Sequence, residues 1–100
     1  MNERPIPPAA LRDENSVEML RVWIAERKLH CSMKVGMYQD GMGIPETEAW
    51  GTILADVARH LANALNEKYG ASTEESIQKI KDSLLDELAK PTSKSDGGFA

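Results

Sequence analysis

Three polar residues near the middle of the chain have the types and the spacing that could support acid–base chemistry. Asp56 lies three positions before Arg59 and four before His60, so on a helix its carboxylate can reach both cations. A carboxylate that orients an imidazole can assist proton transfer. The same spacing is typical of an exposed ion-pair surface, and no nucleophile or second acid is placed to complete a site. We therefore predict a protein that is not an enzyme and has no cofactor.

A metal site would have to use the few histidines and cysteines of the chain. His30, Cys31 and His60 are the complete set, and strand alternation would place His30 and Cys31 on opposite faces. The many carboxylates do not follow the spacing of a calcium-binding loop. We predict no metal site. Cys31 is the only cysteine, so it cannot form an intramolecular disulfide, and we interpret it as a small buried hydrophobe.

A further candidate is the polar side of a predicted β-hairpin. Its interaction residues, called the polar hairpin face below, are Arg21, Trp23, His30 and Lys34. The predicted register sets Arg21 near Lys34, Trp23 near Ser32 and Ala25 near His30. Basic groups around an aromatic ring can bind phosphate and stack a base. The net charge of −4 argues against a strongly basic nucleic-acid binder, and packing or a protein interface is the more common role of a strand tryptophan.

The alternation of apolar residues between positions 17 and 38 predicts the hairpin that would position these groups. Apolar residues share one side of each strand: Leu20, Val22 and Ile24 in the first, and Cys31, Met33 and Val35 in the second. Both sets face the same side of the sheet only if the loop has an even number of residues. The loop contains neither Gly nor Asn, which disfavours a two-residue type I′ turn. A four-residue loop over positions 26–29 keeps the same register, and the length stays open.

In the second half of the chain, apolar residues recur every three or four positions, which predicts two amphipathic helices. The first begins at 45–47 and runs to about residue 69, where Gly70 follows as a terminator. The second has Ser72 as its N-cap with Glu75 three residues later, and it ends at 90–91.

The predicted fold is α+β: an antiparallel β-hairpin followed by two antiparallel helices packed on its apolar face. Residues 1–16, with three closely spaced prolines, form an extended or disordered leader. Residues 17–90 form a single ββαα domain, in which 39–45 connect the hairpin to the first helix, and residues 91–100 form a flexible tail. The predicted core consists of Leu20, Val22, Ile24, Cys31, Met33, Val35, Trp50, Ile53, Leu54, Val57, Leu61, Leu65, Ile80, Leu84 and Leu88.

Two strands do not make a stable sheet in water, and both edges of the hairpin are open. If the leader adds no third strand, we expect a second copy of the chain to complete a four-stranded sheet; whether it does stays open. The expected function is a non-enzymatic protein-interaction module that acts as a homodimer and binds an unidentified protein. The alternative is a weak nucleic-acid or anionic-ligand binder that uses the polar hairpin face. No apolar run approaches a membrane span, so no membrane partner is expected and the location is predicted as cytoplasmic.

Residues 20–38 and 48–65 carry a recognisable combination of motifs. They read LRVWIAERKLHCSMKVGMY and EAWGTILADVARHLANAL. This combination resembles a small bacterial family of unknown function, which has a similar RVWIA strand, an LH second strand and an AWG…LAD…ARH helix. The resemblance implies a small one-domain cytoplasmic protein and assigns no catalytic role to any of these residues.

Overall fold

A three-stranded sheet and two long helices dominate the structure, a computed structural model that describes residues 1–99. In chain order the elements are α1 (Pro8–Arg12), β1 (Leu20–Ala25), β2 (Lys28–Met33), α2 (Met37–Met42), α3 (Glu46–Tyr69), α4 (Thr73–Ala89) and β3 (Ser95–Phe99). β1 and β2 form an antiparallel hairpin, and β3 lies parallel to β2 on its other side. The prediction of an α+β fold is confirmed.

The hairpin is joined by a two-residue turn at Glu26 and Arg27. Their φ angles are 52° and 65°, values that a type I′ turn requires and that residues other than Gly and Asn rarely adopt. The even loop predicted from the apolar alternation is confirmed, but it has two residues rather than four. A type I′ turn matches the right-handed twist of the two strands, which offsets the unfavourable residue types.

This shorter turn shifts the cross-strand neighbours by two positions. The pairs are Leu20 with Met33, Arg21 with Ser32, Val22 with Cys31, Trp23 with His30, Ile24 with Leu29 and Ala25 with Lys28. The predicted pairings of Arg21 with Lys34, Trp23 with Ser32 and Ala25 with His30 are therefore wrong. The predicted faces hold, because a shift of two residues leaves every side chain on the same side of the sheet.

Relief of the positive φ at Arg27 is expected to stabilise the fold. A side chain in the left-handed region costs about 1–2 kcal/mol, whereas glycine adopts this region freely and loses more entropy on folding. We expect Arg27→Gly to raise the free energy of unfolding by about 0.5–1 kcal/mol in urea titrations. Arg27→Ala is the matched control because it removes the same side chain and keeps the Cβ. An equal gain for both variants would rule out backbone strain as the cause.

The second strand is shorter than the alternation predicts. β2 ends at Met33, and α2 occupies Met37–Met42, in a region predicted as the end of a strand and a connection. Gly36, just before α2, has a φ of 106°, a conformation that favours glycine and turns the chain out of the strand. The strand prediction is therefore wrong beyond residue 33. Side-chain alternation continues past this point in the sequence and does not reveal that the backbone changes direction at a single glycine.

The two long helices begin and end close to the predicted positions. Gly70 follows α3 with a φ of 70°, and its amide donates to the carbonyl of Asn66 at 2.8 Å. Ser72 caps α4, where its Oγ accepts the amide of Glu75 at 3.2 Å. A short connection joins the helices, and they contact each other as a helical hairpin.

Both ends of the chain contain regular structure that was not predicted. α1 forms within the leader, while residues 1–7 lie outside any helix or strand. Ser95–Phe99 form β3, which is supported by an ion pair between Lys28 Nζ and Asp96 Oδ2 at 2.9 Å. The prediction of a flexible tail is wrong for Ser95–Phe99. The strand leaves no local pattern because its partners are distant in the chain: Lys28, which forms the ion pair, lies 68 positions before Asp96.

The helices do not pack on the sheet of their own chain. Among the helices and strands of residues 1–99, α3 contacts α4 and α2, and the strands contact only one another. The buried residues are Ala49, Ala62 and Ser76. Most of the predicted core is open in the single chain, and its exposed members are Val22, Ile24, Val35, Leu54, Val57, Leu61, Leu84 and Leu88. The prediction that two helices cover the apolar face of the hairpin is wrong within one chain.

Candidate interaction surface

The apolar side of the hairpin, called the apolar sheet face below, lacks a covering layer. Its residues, which alternate to one side of β1 and β2, are Leu20, Val22, Ile24, Leu29, Cys31 and Met33. Val22 is 47% exposed and Ile24 is 82% exposed, whereas Leu20, Leu29, Cys31 and Met33 are half-buried. A sheet with one apolar face normally buries that face against a second layer of structure, and no helix of residues 1–99 packs on it in the single chain.

α3 presents an apolar stripe, defined here as Leu54, Val57 and Leu61. Their spacing of three and four places the three side chains on one side of the helix. Each is about half exposed, at 48%, 51% and 46%. Ala62, at 0% exposure, lies further around the helix, so the contact between α3 and α4 leaves the stripe free.

The leader extends this open apolar surface beyond β1. An open groove of about 700 Å³ lies between the leader and β1. Apolar residues of its lining are Ile6, Leu11, Val17, Leu20 and Val22. The first three are exposed, so the groove is a continuation of the uncovered surface rather than a closed cavity.

The amount of exposed surface is large for a chain of this size. A folded monomer of 11.0 kDa exposes roughly 5,600 Å², whereas this chain exposes 8534 Å². Its radius of gyration is 15.4 Å, compared with about 13 Å for a typical domain of 100 residues. The single chain therefore leaves about 2,900 Å² more surface in solvent than a self-contained fold would.

Glu46 fixes the start of α3 relative to the start of α2. Its carboxylate accepts the amides of Gly36 and Gln39 at 2.8 and 2.9 Å, and the indole Nε1–H of Trp50 at 3.3 Å. These bonds satisfy amides at the start of α2, a helix without a side-chain cap at its N-terminus. The amides of Gly36 and then Gln39 lower the pKa of Glu46, and Trp50 adds to the effect. A side chain that no sequence motif marks thus holds α2 and α3 together.

The lowered pKa of Glu46 predicts a specific pH dependence of stability. A carboxyl whose pKa is lower in the folded state stabilises the fold above its usual pKa of 4.5 and loses this effect as the pH falls through the folded-state pKa. We expect Glu46→Gln to lower the Tm at pH 7 by several degrees. Below pH 4.5 the difference from the wild-type Tm should shrink, because Glu46 itself becomes protonated there.

Thermal unfolding followed by circular dichroism between pH 3 and pH 7 checks this expectation. Glu48→Gln, in the same first turn of α3, is the matched control because it removes an equal charge near the helix N-terminus. The same pH-dependent loss in both variants would show that the helix dipole, and not the bonds to Gly36 and Gln39, accounts for the effect.

The structure brings together three of the four residues of the polar hairpin face. Arg21 and Trp23 lie on this side of β1, and His30 lies directly opposite Trp23. The His30 Nε2–H donates to the carbonyl oxygen of Ala25 at 3.1 Å. Lys34 lies one residue after the end of β2, where its amide donates to the carbonyl of Met19 at 2.9 Å and extends the pairing of the two strands. Trp23 and His30 therefore form the centre of this face, and Lys34 lies at its end.

Basic side chains on this face are paired with carboxylates. Arg21 contacts Glu18 at 3.0 Å and Glu3 at 3.1 Å, and hydrogen bonding and attraction from Glu18 raise the pKa of Arg21. Lys28 contacts Asp96, and this contact lowers the pKa of the Asp96 carboxyl. The hairpin sequence does not indicate these carboxylates, because Glu3 lies in the leader, Glu18 just before β1 and Asp96 near the C-terminal end. The pairing reduces the positive potential that a phosphate would meet.

The polar residues of α3 include an exposed ion pair. Asp56 and Arg59 contact each other, as their spacing predicts. His60 is exposed, and the hydrogen bond to Asp56 comes from Arg59. The structure thus brings Asp56 and Arg59 together without an orienting contact on His60, and this geometry resembles that of a solvated helix surface.

Within residues 1–99, no group of three or more His, Cys, Asp or Glu side chains is arranged to hold a metal ion. Over the same residues, no helix combines the length and the apolar character needed to cross a membrane. Cys31 is a free thiol, half-buried on the apolar sheet face. The open apolar surfaces are therefore the most distinctive feature of the described chain.

Comparison with known proteins gives a fold relative and a family. A solved structure described as "a putative pyruvate dehydrogenase from the photosynthetic bacterium Rhodopseudomonas palustrus CGA009" is similar to this chain, with a TM-score of 0.66 and 24% identity over 94% of this chain and 90% of the other. At this identity the similarity shows the fold alone. No curated protein matches the sequence. The model of the family described as "Domain of unknown function (DUF5076)" matches residues 3–92, and the chain belongs to that family.

Proposed function

We propose that the protein is a non-enzymatic protein-interaction module that acts as a homodimer. The observation that carries this proposal is the separation of the apolar sheet face from the apolar stripe of α3. A hydrophobic core forms when two such apolar surfaces pack against each other, but within one chain the stripe of α3 does not pack on the sheet. Exposed apolar surfaces of this extent are typical of interaction sites.

The area supports a large interface. If each copy buried about half of its 2,900 Å² excess, the two copies together would bury about 2,900 Å². This area lies within the range of obligate homodimers, which bury roughly 2,000–5,000 Å². The outer edge of β1 also has no strand beside it within residues 1–99. Pairing of two such edges would join the sheets of the two copies.

A second copy is the economical partner because it carries both kinds of unsatisfied surface. In a symmetric dimer each contact occurs twice, so one arrangement can cover the open sheet and the open helix of both chains. A covering layer supplied by an unrelated protein would have to match two separate apolar surfaces. The proposed module is cytoplasmic, in keeping with Cys31 as a free thiol.

The polar hairpin face is the surface that the proposed dimer would leave for a further protein partner. Trp23 and His30 lie side by side there, on the side opposite the apolar sheet face. The alternative role in binding nucleic acid or another anion receives no support from this geometry, because Arg21 and Lys28 are paired with carboxylates. A steep loss of binding with rising salt would identify phosphate contacts, and we expect none.

Light scattering after size-exclusion chromatography tests the proposal. We expect a mass of about 22 kDa, twice the 11.0 kDa of one chain, over a wide range of loading concentrations. The urea midpoint of unfolding should rise with protein concentration, because dissociation accompanies unfolding in a dimer of this kind. A folded chain that stays at the monomer mass, with a midpoint independent of concentration, would overturn the proposal.

A further inference from the structure

We infer that the two copies exchange their covering layers: the apolar stripe of α3 in one copy packs on the apolar sheet face of the other, and the reverse contact forms by symmetry. This inference rests on the proposed homodimer and adds which surfaces meet. The core between helix and sheet is then intermolecular. The dimer has two such cores, and each contains α3 of one chain and the sheet of the other.

The orientation of α3 is fixed relative to α2. A connection of twelve residues runs from the end of β2 to the start of α3, and α2 occupies six of them. Glu46 bonds the amides of Gly36 and Gln39, so α2 and the first turn of α3 hold one relative orientation. Folding α3 back over its own sheet would therefore require α2 and α3 to turn together at residues 34–36, whereas contact with another copy needs no such change.

The dimensions of the two surfaces match. The apolar side of α3, from Trp50 to Leu61, extends about 17 Å at 1.5 Å per residue. The strands β1 and β2 have six residues each and extend roughly 20 Å. The stripe together with Trp50, which lies one turn before Leu54 on the same side of α3, can therefore cover most of the length of the hairpin. In the single chain the two surfaces approach each other only at the start of α3, where Met33 and Trp50 line one open apolar depression.

The chemistry of the surfaces matches as well. All six residues of the apolar sheet face and all three of the stripe are uncharged, and together they lack a polar group that would need a partner apart from the Cys31 thiol. Asp56 and Arg59 occupy other positions around α3 and remain in an ion pair at the surface. Burial of the stripe thus leaves no charged side chain buried without a partner.

Cys31 makes the inference testable because it is the only thiol and lies on the apolar sheet face. The wild-type chain is mixed with a Cys31→Ser, Val57→Cys chain, unfolded and refolded together to form mixed dimers, and treated with a short bismaleimide that links neighbouring thiols. We expect a covalent species of two chains on a denaturing gel. The matched control is Cys31→Ser, His60→Cys, whose thiol lies off the stripe, and its yield should be several-fold lower.

A second cysteine position keeps the test decisive if the Val57→Cys chain folds poorly. Leu54→Cys in the Cys31→Ser background lies on the same stripe and should link to Cys31 of the wild-type chain as Val57→Cys does. The single chain that carries both Cys31 and Val57→Cys tests the opposite arrangement. If that chain links within itself at high dilution, α3 covers its own sheet and the inference is overturned.

The remaining outcomes separate the inference from the proposed function. A dimer by light scattering whose stripe reporters link to Cys31 no better than the His60→Cys control would overturn the exchange and leave the homodimer standing. A strict monomer without intermolecular linking would overturn both. Linking by both stripe reporters above the control, in a sample of dimer mass, supports both.

Discussion

Val57→Asp is expected to abolish the proposed homodimer. Val57 is 51% exposed in the single chain, so the substitution would cost little if that surface stayed in solvent. In the proposed dimer it buries an unpaired carboxylate in each of two equivalent contacts, at a total cost of at least about 3 kcal/mol. The dissociation constant should therefore rise more than about a hundredfold. Light scattering or sedimentation of the variant would show the monomer mass under conditions where the wild type is dimeric.

The control for this prediction is His60→Asp, which places the same charge on α3 at an exposed position beside the existing ion pair. It should remain dimeric. Val22→Asp, on the facing apolar sheet surface, should behave like Val57→Asp, because the two side chains are expected to lie in the same interface. A fully dimeric Val57→Asp protein would show that α3 does not take part in self-association.

Ala62→Leu is expected to destabilise the helical hairpin within each chain. Ala62 is 0% exposed, and among the elements of residues 1–99 α3 contacts α4 and α2. Since α2 bonds the first turn of α3, far from Ala62, we infer that α4 covers this small side chain. Overpacking at such a site costs about 1–3 kcal/mol because side chains and backbone must shift to make room. For a domain of this size, each kcal/mol lowers the Tm by about 4–8 °C. Thermal unfolding followed by circular dichroism measures the change.

Asn63→Leu is the matched control for Ala62→Leu, since it adds a leucine one position further along α3, where the side chain is exposed. Its Tm should stay close to that of the wild type. If both variants lose the same stability, the general effect of leucine on this helix would explain the result. If Ala62→Leu is as stable as the wild type, the two helices are not closely packed at this position.

The sequence determined by itself those features whose interactions span a few residues. The helix ends at Gly70 and at the Ser72 cap depend on bonds between residues three or four positions apart, and such bonds leave a readable pattern. The even parity of the hairpin loop followed from side-chain alternation, which is equally local. The family resemblance carried by 20–38 and 48–65 lies within the matched region of 3–92.

Only the tertiary structure decided how these elements relate to one another. The two-residue loop requires Glu26 and Arg27 to adopt positive φ angles. The twist of the two strands favours such a turn, whereas the residue types do not. Glu46 shows no local motif because its partners lie seven and ten positions away.

The core was beyond sequence reasoning for a related reason. Apolar periodicity predicts which side of a helix or strand will be buried. The hydrophobic effect is non-directional, so this periodicity does not predict which element will cover that side. In this protein the apolar sheet face and the α3 stripe were both read correctly as apolar, yet they do not meet in one chain. The course of the chain between β2 and α3 separates them, and exposed apolar residues remain on both in the single chain.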